Sequence, residues 1–192
     1  SLHPAGHILG SAQVRVQHGD AVWVFTGDFK REPDPTCEAF ELLRCDTLIC
    51  EATFAYPVYA WPTMAHEVER IERWVAHCKE QGKAAVLYAY SLGKAQRVLA
   101  GLAGKLDAPV LLHGAMARGT DIYRQAGIAL AATEMVADVP TDTDFAGRMV
   151  LAPPSAQDSA WLKRFRQVEQ GFASGWMLLR GNRRRRNMQR GF

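Results

Sequence analysis

The sequence has no apolar run near the roughly 18 residues that would span a bilayer, and no basic stretch leading into an apolar one near Ser1. No membrane partner is expected, and the chain reads as soluble and cytoplasmic. Cysteine is sparse and unpatterned: Cys37, Cys45, Cys50 and Cys78 form no CxxC pair and no zinc-finger spacing. That argues against a disulfide framework and for buried or idle thiols in a reducing compartment. Charge of one sign is also scarce, because 23 Lys and Arg against 20 Asp and Glu leave a net +3, too little to decide on a nucleic-acid partner. Its distribution is uneven, however, with Arg180, Arg183, Arg184, Arg185, Arg186 and Arg190 crowded at the C-terminal end. Apart from that cluster there is no internal repeat and no low-complexity segment. What remains is 192 residues, 48% hydrophobic and 22% charged, enough for one sizeable core or two small domains. The sequence starts at Ser1 inside motif-like sequence and stops at Gly191-Phe192 without a polar tail, so both ends are expected to be truncations.

Residues 12–28 predict a β-hairpin. AQVRVQ alternates apolar and polar residues, HGDA supplies turn chemistry at Gly19 and Asp20, and VWVFT is an apolar strand. A turn centred on Gly19 and Asp20 pairs Asp28 near Ser11, beside the loop HPAGHILG that carries His7. A third apolar run, DTLICEAT, places Glu51 at its carboxyl end, so His7, Asp28 and Glu51 are expected at one edge of a sheet.

After Tyr56-Pro57 and Trp61-Pro62 the period changes to three- and four-residue steps. Met64, Val68, Ile71, Val75 and Cys78 define an amphipathic helix that Gly82 stops. Then follow a strand KAAVLYAY, a helix LGKAQRVLAGLAG, a strand PVLLH, a helix through Met116 to Gln125, a strand RMVLA, a helix SAQDSAWLKRF and a final strand around SGWMLL. Strands alternating with helices predict an α/β fold with a mainly parallel sheet.

A neutral imidazole and a carboxylate are suitable ligands for zinc or manganese, and His7 with Asp28 supplies both. Gly6, Gly10 and Ser11 allow the close turns that such a loop needs. Asp28 in TGD equally fits a turn-capping role, and both readings stay open. Glu51, flanked by Cys50 and Ala52, needs a partner, a metal-ligating histidine being one. His3 suits a positioning role, while His18, His66, His77 and His113 read as ordinary hydrogen-bonded residues. SLGKA imitates a phosphate loop, but Tyr88 stands where its first glycine belongs and Ala95 where its Ser or Thr belongs. That excludes an ATPase loop. A phosphate at the helix N-terminus aided by Lys94 and Arg97, and a plain capped helix, remain equally good readings. The same balance holds for GNRRRRNMQR, either a solvated patch or a contact along a phosphate backbone.

HPAGHILGSAQV, FTGDFKREPDPT, LICEATFA and YAYSLGKAQRVL, in this order and at these intervals, resemble the β-CASP branch of the metallo-β-lactamase-fold nucleases. Within it the chain is most similar to the bacterial ligase-associated DNA exonucleases, of the mRNA 3′-end processing factor family. The resemblance implies part of a metallo-β-lactamase αββα sandwich over residues 1–60, a β-CASP cap over 61–186 and a return to the first domain at 187–192. It makes His7 and Asp28 metal ligands, Asp28 bridging two ions, and Glu51 the acidic residue that orients a metal-binding histidine; Asp28 and Glu51 are then the catalytic carboxylates. Lys94, Arg97, Arg183, Arg184, Arg185 and Arg186 become candidate nucleic-acid contacts.

The activity implied is that of a metal-dependent phosphodiesterase, a DNA exonuclease of repair using two zinc or manganese ions, with functional association to a DNA ligase and a helicase. LAPPSAQDS stands where many RNA-acting relatives carry a Thr-Ser-Gly turn, which favours DNA over RNA. The alternatives are an RNA-processing β-CASP ribonuclease and a catalytically dead nucleic-acid-binding module. The family's HxHxDH cluster has no counterpart here, and its two later histidine motifs would lie beyond Phe192. The site in this chain is therefore expected to be incomplete and the chain alone inactive.

Overall fold

The computed structural model describes residues 1–178 and 190–192, and the chain divides into two compact units, Ser1–Pro57 and Val58–Phe192. In the first, β1 (Leu2–Pro4), β2 (Ala12–His18), β3 (Ala21–Phe25) and β4 (Thr47–Ile49) form a sheet in that order. β1, β2 and β3 run antiparallel in turn, and β4 is parallel to β3. The hairpin pairs His18 with Ala21 and Val14 with Phe25, so its turn is centred on Gly19 and Asp20 as the sequence implies.

Alternation in the hairpin is real, but the covered side carries polar Gln13 on β2 as well as apolar Val24 on β3. Gln13 is buried, and its Nε2 donates to the carbonyls of Pro4 at 3.0 Å and Glu41 at 2.7 Å. Val14, Val16, Trp23, Phe25 and Ile49, cross-strand neighbours on the other side, are all exposed.

The second unit contains α1 (Met64–Glu80), β5 (Ala84–Tyr88), α2 (Lys94–Gly101), β6 (Val110–Leu112), α3 (Gly114–Gln125), β7 (Thr133–Met135), β8 (Met149–Ala152), β9 (Val168–Phe172) and β10 (Arg190–Gly191). Six of these are strands and form one wholly parallel sheet, ordered β10-β9-β5-β8-β6-β7. Such a sheet needs cover on both faces. β5 shows it: Ala85 and Leu87 pack with α1, α2 and α3, whereas Ala84, Val86 and Tyr88 pack with Phe145, Phe165 and Phe172. Residues 190 and 191, from the stretch expected to begin a return to the first domain, pair with β9.

Two expected elements are corrected. SAQDSAWLKRF is not an α-helix but two 3-10 turns, Pro154–Ala156 and Ala160–Arg164. Between them Asp158 takes φ +57, and Ser159 Oγ donates to the Ala156 carbonyl, which breaks helical continuation. SGWMLL is not the last strand, since Gly175–Leu178 is another 3-10 turn and the strand lies upstream at Val168–Phe172. That strand holds Glu169 and Gly171, residue types that strands usually avoid. Glu169 is tolerated because Trp74 Nε1 and Arg190 Nε each donate to its Oε1 at 2.9 Å. Gly171 is needed because a Cβ there would lie 2.9 Å from the Phe192 ring.

Burial works to raise the Glu169 carboxyl. The hydrogen bonds from Arg190 and Trp74, with the charges of Arg190 and His77, outweigh burial and hold it below the usual carboxylate range. A lowered folded-state value means that this stabilisation is complete above the unfolded carboxylate pKa and is lost as pH falls through the folded one. Glu169→Gln is therefore expected to cost roughly 1–3 kcal/mol at neutral pH and to flatten the acid limb of stability. Urea unfolding of both proteins at a series of acidic pH values measures this; parallel acid limbs would contradict it.

Candidate functional site

The end of the first sheet where β1, β3 and β4 terminate gathers the three residues singled out from sequence. β1 and β3 share a direction through β2, and β4 is parallel to β3, so the segments after Pro4, Phe25 and Ile49 leave at the same end. His7 lies on the first, Asp28 on the second and Glu51 on the third.

The loop carrying His7 is closed from within. Ser11 Oγ accepts from the amides of His7 at 3.1 Å and Ile8 at 3.2 Å, the Ser11 amide donates to the Ile8 carbonyl, and the Ala5 amide to the Ser11 carbonyl. The Asp28 loop is tied to it by a bond from the Lys30 amide to the Ala5 carbonyl at 3.0 Å. Gly6, at φ +69, lets these segments touch: a Cβ there would sit 2.3 Å from the Lys30 carbonyl oxygen. The result is an approach of His7 Nε2 to Asp28 Oδ2 of 3.8 Å, with the side chains 41% and 72% exposed. The pair is thus reachable from solvent. Further along, Asp34 is buried and accepts from the Thr36 amide at 2.9 Å and hydroxyl at 2.6 Å, which shapes the loop after Lys30.

Glu51 Oε2 accepts from the Thr53 amide at 2.7 Å, a local turn that fixes the carboxylate. His3 is engaged elsewhere, Nδ1 lying 3.0 Å from Glu41 Oε2 and Nε2 2.8 Å from Ser1 Oγ. His7 and Asp28 suit a divalent cation in kind but not in number. Among the described residues no group of three or more His, Cys, Asp or Glu side chains is placed to hold a metal. A two-metal centre needs several protein ligands for each ion.

In the second unit, SLGKA forms the loop between β5 and α2. The Gly93 amide donates to Gln96 Oε1 at 2.7 Å, the Lys94 amide to the Leu92 carbonyl and the Ala95 amide to the Tyr90 carbonyl. Gln96 is wholly buried, and its Nε2 also reaches the Ser91 carbonyl and Thr120 Oγ1. The first amides of α2 are therefore taken by the loop itself, which is the capped-helix alternative; the charges of Lys94 and Arg97 are separate from it. Gln96 was not singled out from sequence, although its place three residues after Gly93 matches the glutamine of a capping box. His113 caps α3, accepting from the Ala115 amide on Nδ1 at 3.1 Å, and burial lowers its pKa, so the ring is neutral. Arg183, Arg184, Arg185 and Arg186 lie outside the described residues.

No protein-family model matches the chain. It is 33% identical over 179 residues to a probable DNA ligase of Opitutus terrae, covering 93% of this chain and 17% of that protein. It is 33% identical over 135 residues to the transcription termination factor FttA of Methanosarcina mazei, covering 64% of this chain and 21% of that factor. With the endoribonuclease YSH1 of Yarrowia lipolytica the identity is 32% over 101 residues, covering 52% of this chain and 12% of that enzyme. The chain thus spans only 12 to 21% of the length of these relatives, all three of which are named for work on nucleic acids.

The two glycines flanking His7 offer an internal test of the loop geometry. Gly10, at φ +77, has nothing within 4 Å of an added Cβ. Gly10→Ala is therefore expected to cost about 1–2 kcal/mol from backbone conformation alone. Gly6→Ala adds overlap with backbone atoms and is expected to cost a further 1–3 kcal/mol, roughly. Hydrogen exchange at the Lys30 amide reads the difference: protection should drop in Gly6→Ala and persist in Gly10→Ala. Equal protection in the two would mean that Gly6 does not join the loops.

Proposed function

We propose that the chain is part of a metal-dependent phosphodiesterase of the β-CASP branch of the metallo-β-lactamase-fold nucleases, a cytoplasmic DNA exonuclease acting in repair. The observation that carries this reading is the 3.8 Å approach of His7 Nε2 to Asp28 Oδ2 on a solvent-facing sheet end. In this reading His7 and Asp28 would hold a zinc or manganese pair together with ligands from outside these 192 residues. Glu51, its carboxylate fixed by the Thr53 amide, orients a histidine supplied from outside these 192 residues. Such ions supply charge stabilisation and an activated water. Residues 1–60 are read as part of the metallo-β-lactamase sandwich, 61–186 as the cap and 187–192 as the return. The exposed row Val14, Val16, Trp23, Phe25 and Ile49 supports the first assignment, because a sandwich layer has one apolar inner face. Lys94, Arg97 and Arg183 to Arg186 are assigned to the phosphate backbone.

Similarity to a probable DNA ligase supports DNA as substrate, and similarity to an endoribonuclease supports RNA, the second reading, equally. The association with a ligase and a helicase is part of the proposal alone. The test uses the longer polypeptide that contains this chain, with matched end-labelled single-stranded DNA and RNA in manganese. Progressive shortening of DNA from an end is expected, abolished by Asp28→Asn or His7→Ala, while the 192-residue chain alone shows no turnover. Cleavage of RNA with DNA spared would favour the second reading, and cleavage of neither would leave a binding module. Steady cleavage by the short chain would overturn the account of its missing ligands. Separately, replacing Arg183 to Arg186 by Ala in the longer polypeptide should flatten the salt dependence of binding. Each lost phosphate contact removes about 0.7–0.9 from the slope of log K against log salt; an unchanged slope would make the cluster a solvated patch.

A further inference from the structure

The two edges of the second unit's sheet are finished differently. At β10, Phe192 bonds to β9 through its amide, which donates to the Phe172 carbonyl, and its carbonyl, which accepts from the Ser174 amide. Gly191 therefore points outward, and Arg70 Nη2 donates to its carbonyl at 2.8 Å. At β7 the Val110 amide of β6 donates to the Ala132 carbonyl at 2.9 Å. Backbone groups alternate in direction along a strand, so Glu134 also faces β6, and the amides of Thr133 and Met135 face the outer edge. β7 is the last strand in the order, and those two amides have no cross-strand partner among the described residues. A cleft of about 400 Å³ runs beside this edge. All three residues of β7 line it, α3 contributes Ala117, Thr120, Asp121 and Arg124, and the buried Leu112 adds apolar surface.

The charge of the cleft selects its occupant. Asp121, Glu134 and Asp138 give it three carboxylates. Arg148 Nη2 lies 3.2 Å from Glu134 Oε2 and neutralises it. Arg124 Nη2 donates to Thr133 Oγ1 at 2.7 Å and to the Ala131 carbonyl at 3.2 Å, while its Nη1 reaches Asp121 Oδ1 only at 4.0 Å. Asp138, exposed in the turn after β7, has no partner for its carboxylate among the described residues. Three carboxylates against two guanidiniums leave one negative charge, and it sits just past the carboxyl end of β7. A second copy of this chain would bring the same surplus to the edge and be repelled by it. An extended segment carrying lysine or arginine fits instead. It supplies carbonyls to the open amides, an apolar side chain to the surface of Leu112 and Met135, and a cation to Asp138, which is strand addition at a free sheet edge.

We propose that an extended basic segment of a partner protein docks along β7 as a further strand of the sheet, its carbonyls accepting from the Thr133 and Met135 amides and a lysine or arginine side chain meeting Asp138. Neither His7 nor Asp28 enters into it, so it stands apart from the nuclease reading. The rival account is an edge that stays unpaired, because a short edge strand bearing a charge is also how proteins keep an edge from pairing.

The test titrates the 192-residue chain with end-capped, fluorescein-labelled peptides about five residues long. One alternates valine with lysine, the second has glutamate in place of lysine, and the third is the first with every internal amide N-methylated. Fluorescence anisotropy gives the affinities, and amide hydrogen exchange gives the place. The lysine peptide should bind at least about fivefold more tightly than either of the others. On binding it should slow exchange at Thr133 and Met135 and leave Glu134, which faces β6, unchanged. Asp138→Asn should weaken the lysine peptide by about two- to fivefold. Equal affinity for the three peptides, no binding, or unchanged exchange at Thr133 and Met135 would overturn the proposal and leave the edge unpaired. Protection of those amides that grows with protein concentration alone would assign the edge to a second copy. Loss of peptide binding in the longer polypeptide would assign it to that polypeptide's own flanking residues. Either result would overturn a separate partner. The peptide comparisons use the unaltered protein, so a misfolded variant does not affect them.

Discussion

Everything at the candidate metal end of the first unit depends on the register of the β2–β3 hairpin. With the turn centred on Gly19 and Asp20, Val14 faces Phe25, and three residues beyond each lie Ser11, whose hydroxyl closes the His7 loop, and Asp28. A slip of one residue reverses the face of every side chain. It would put Gln13 among Val14's present neighbours and leave the Pro4 and Glu41 carbonyls without their donor. The hydrogen bonds of Gln13, with buried Val24 on the same face, therefore oppose a slip. They explain how a glutamine is accommodated on the covered face of this strand.

Much of the fold is legible in the sequence because its signals are local. The helix from Met64 declares itself through Val68, Ile71, Val75 and Cys78, all buried, and Gly82 follows it at φ +65. AAVLY reads as a covered strand and is one, each residue 0 or 1% exposed. The failures are non-local. No propensity rule places Glu169 in an interior strand; its place depends on Trp74, 95 residues earlier, and Arg190, 21 residues later. The apolar spacing of SAQDSAWLKRF is genuine, since Trp161 and Phe165 do pack together, but Pro153, Pro154 and the left-handed Asp158 bend it into separate turns.

The candidate site divides in the same way. His7 and Asp28 follow from strand register, a short-range count, and they meet. The engagement of Glu51 with Thr53 is equally short-range, yet the sequence alone leaves open whether such a carboxylate turns inward or reaches across. The SLGKA loop shows where residue types mislead: glycine and lysine ahead of a helix suggest anion binding, but Gln96, only three residues from Gly93, occupies the amide that would provide it.

That occupation constrains how the second unit can meet a polyanion. With the Gly93, Lys94 and Ala95 amides bonded within the loop, those three donors are not open to a phosphate. In the functional reading proposed above, attraction comes from side-chain charge at Lys94 and Arg97, which is screened by salt and indifferent to sequence. His113 adds nothing to it, because its ring is neutral and its Nδ1 caps α3. Charge alone would hold single and double strands without distinction.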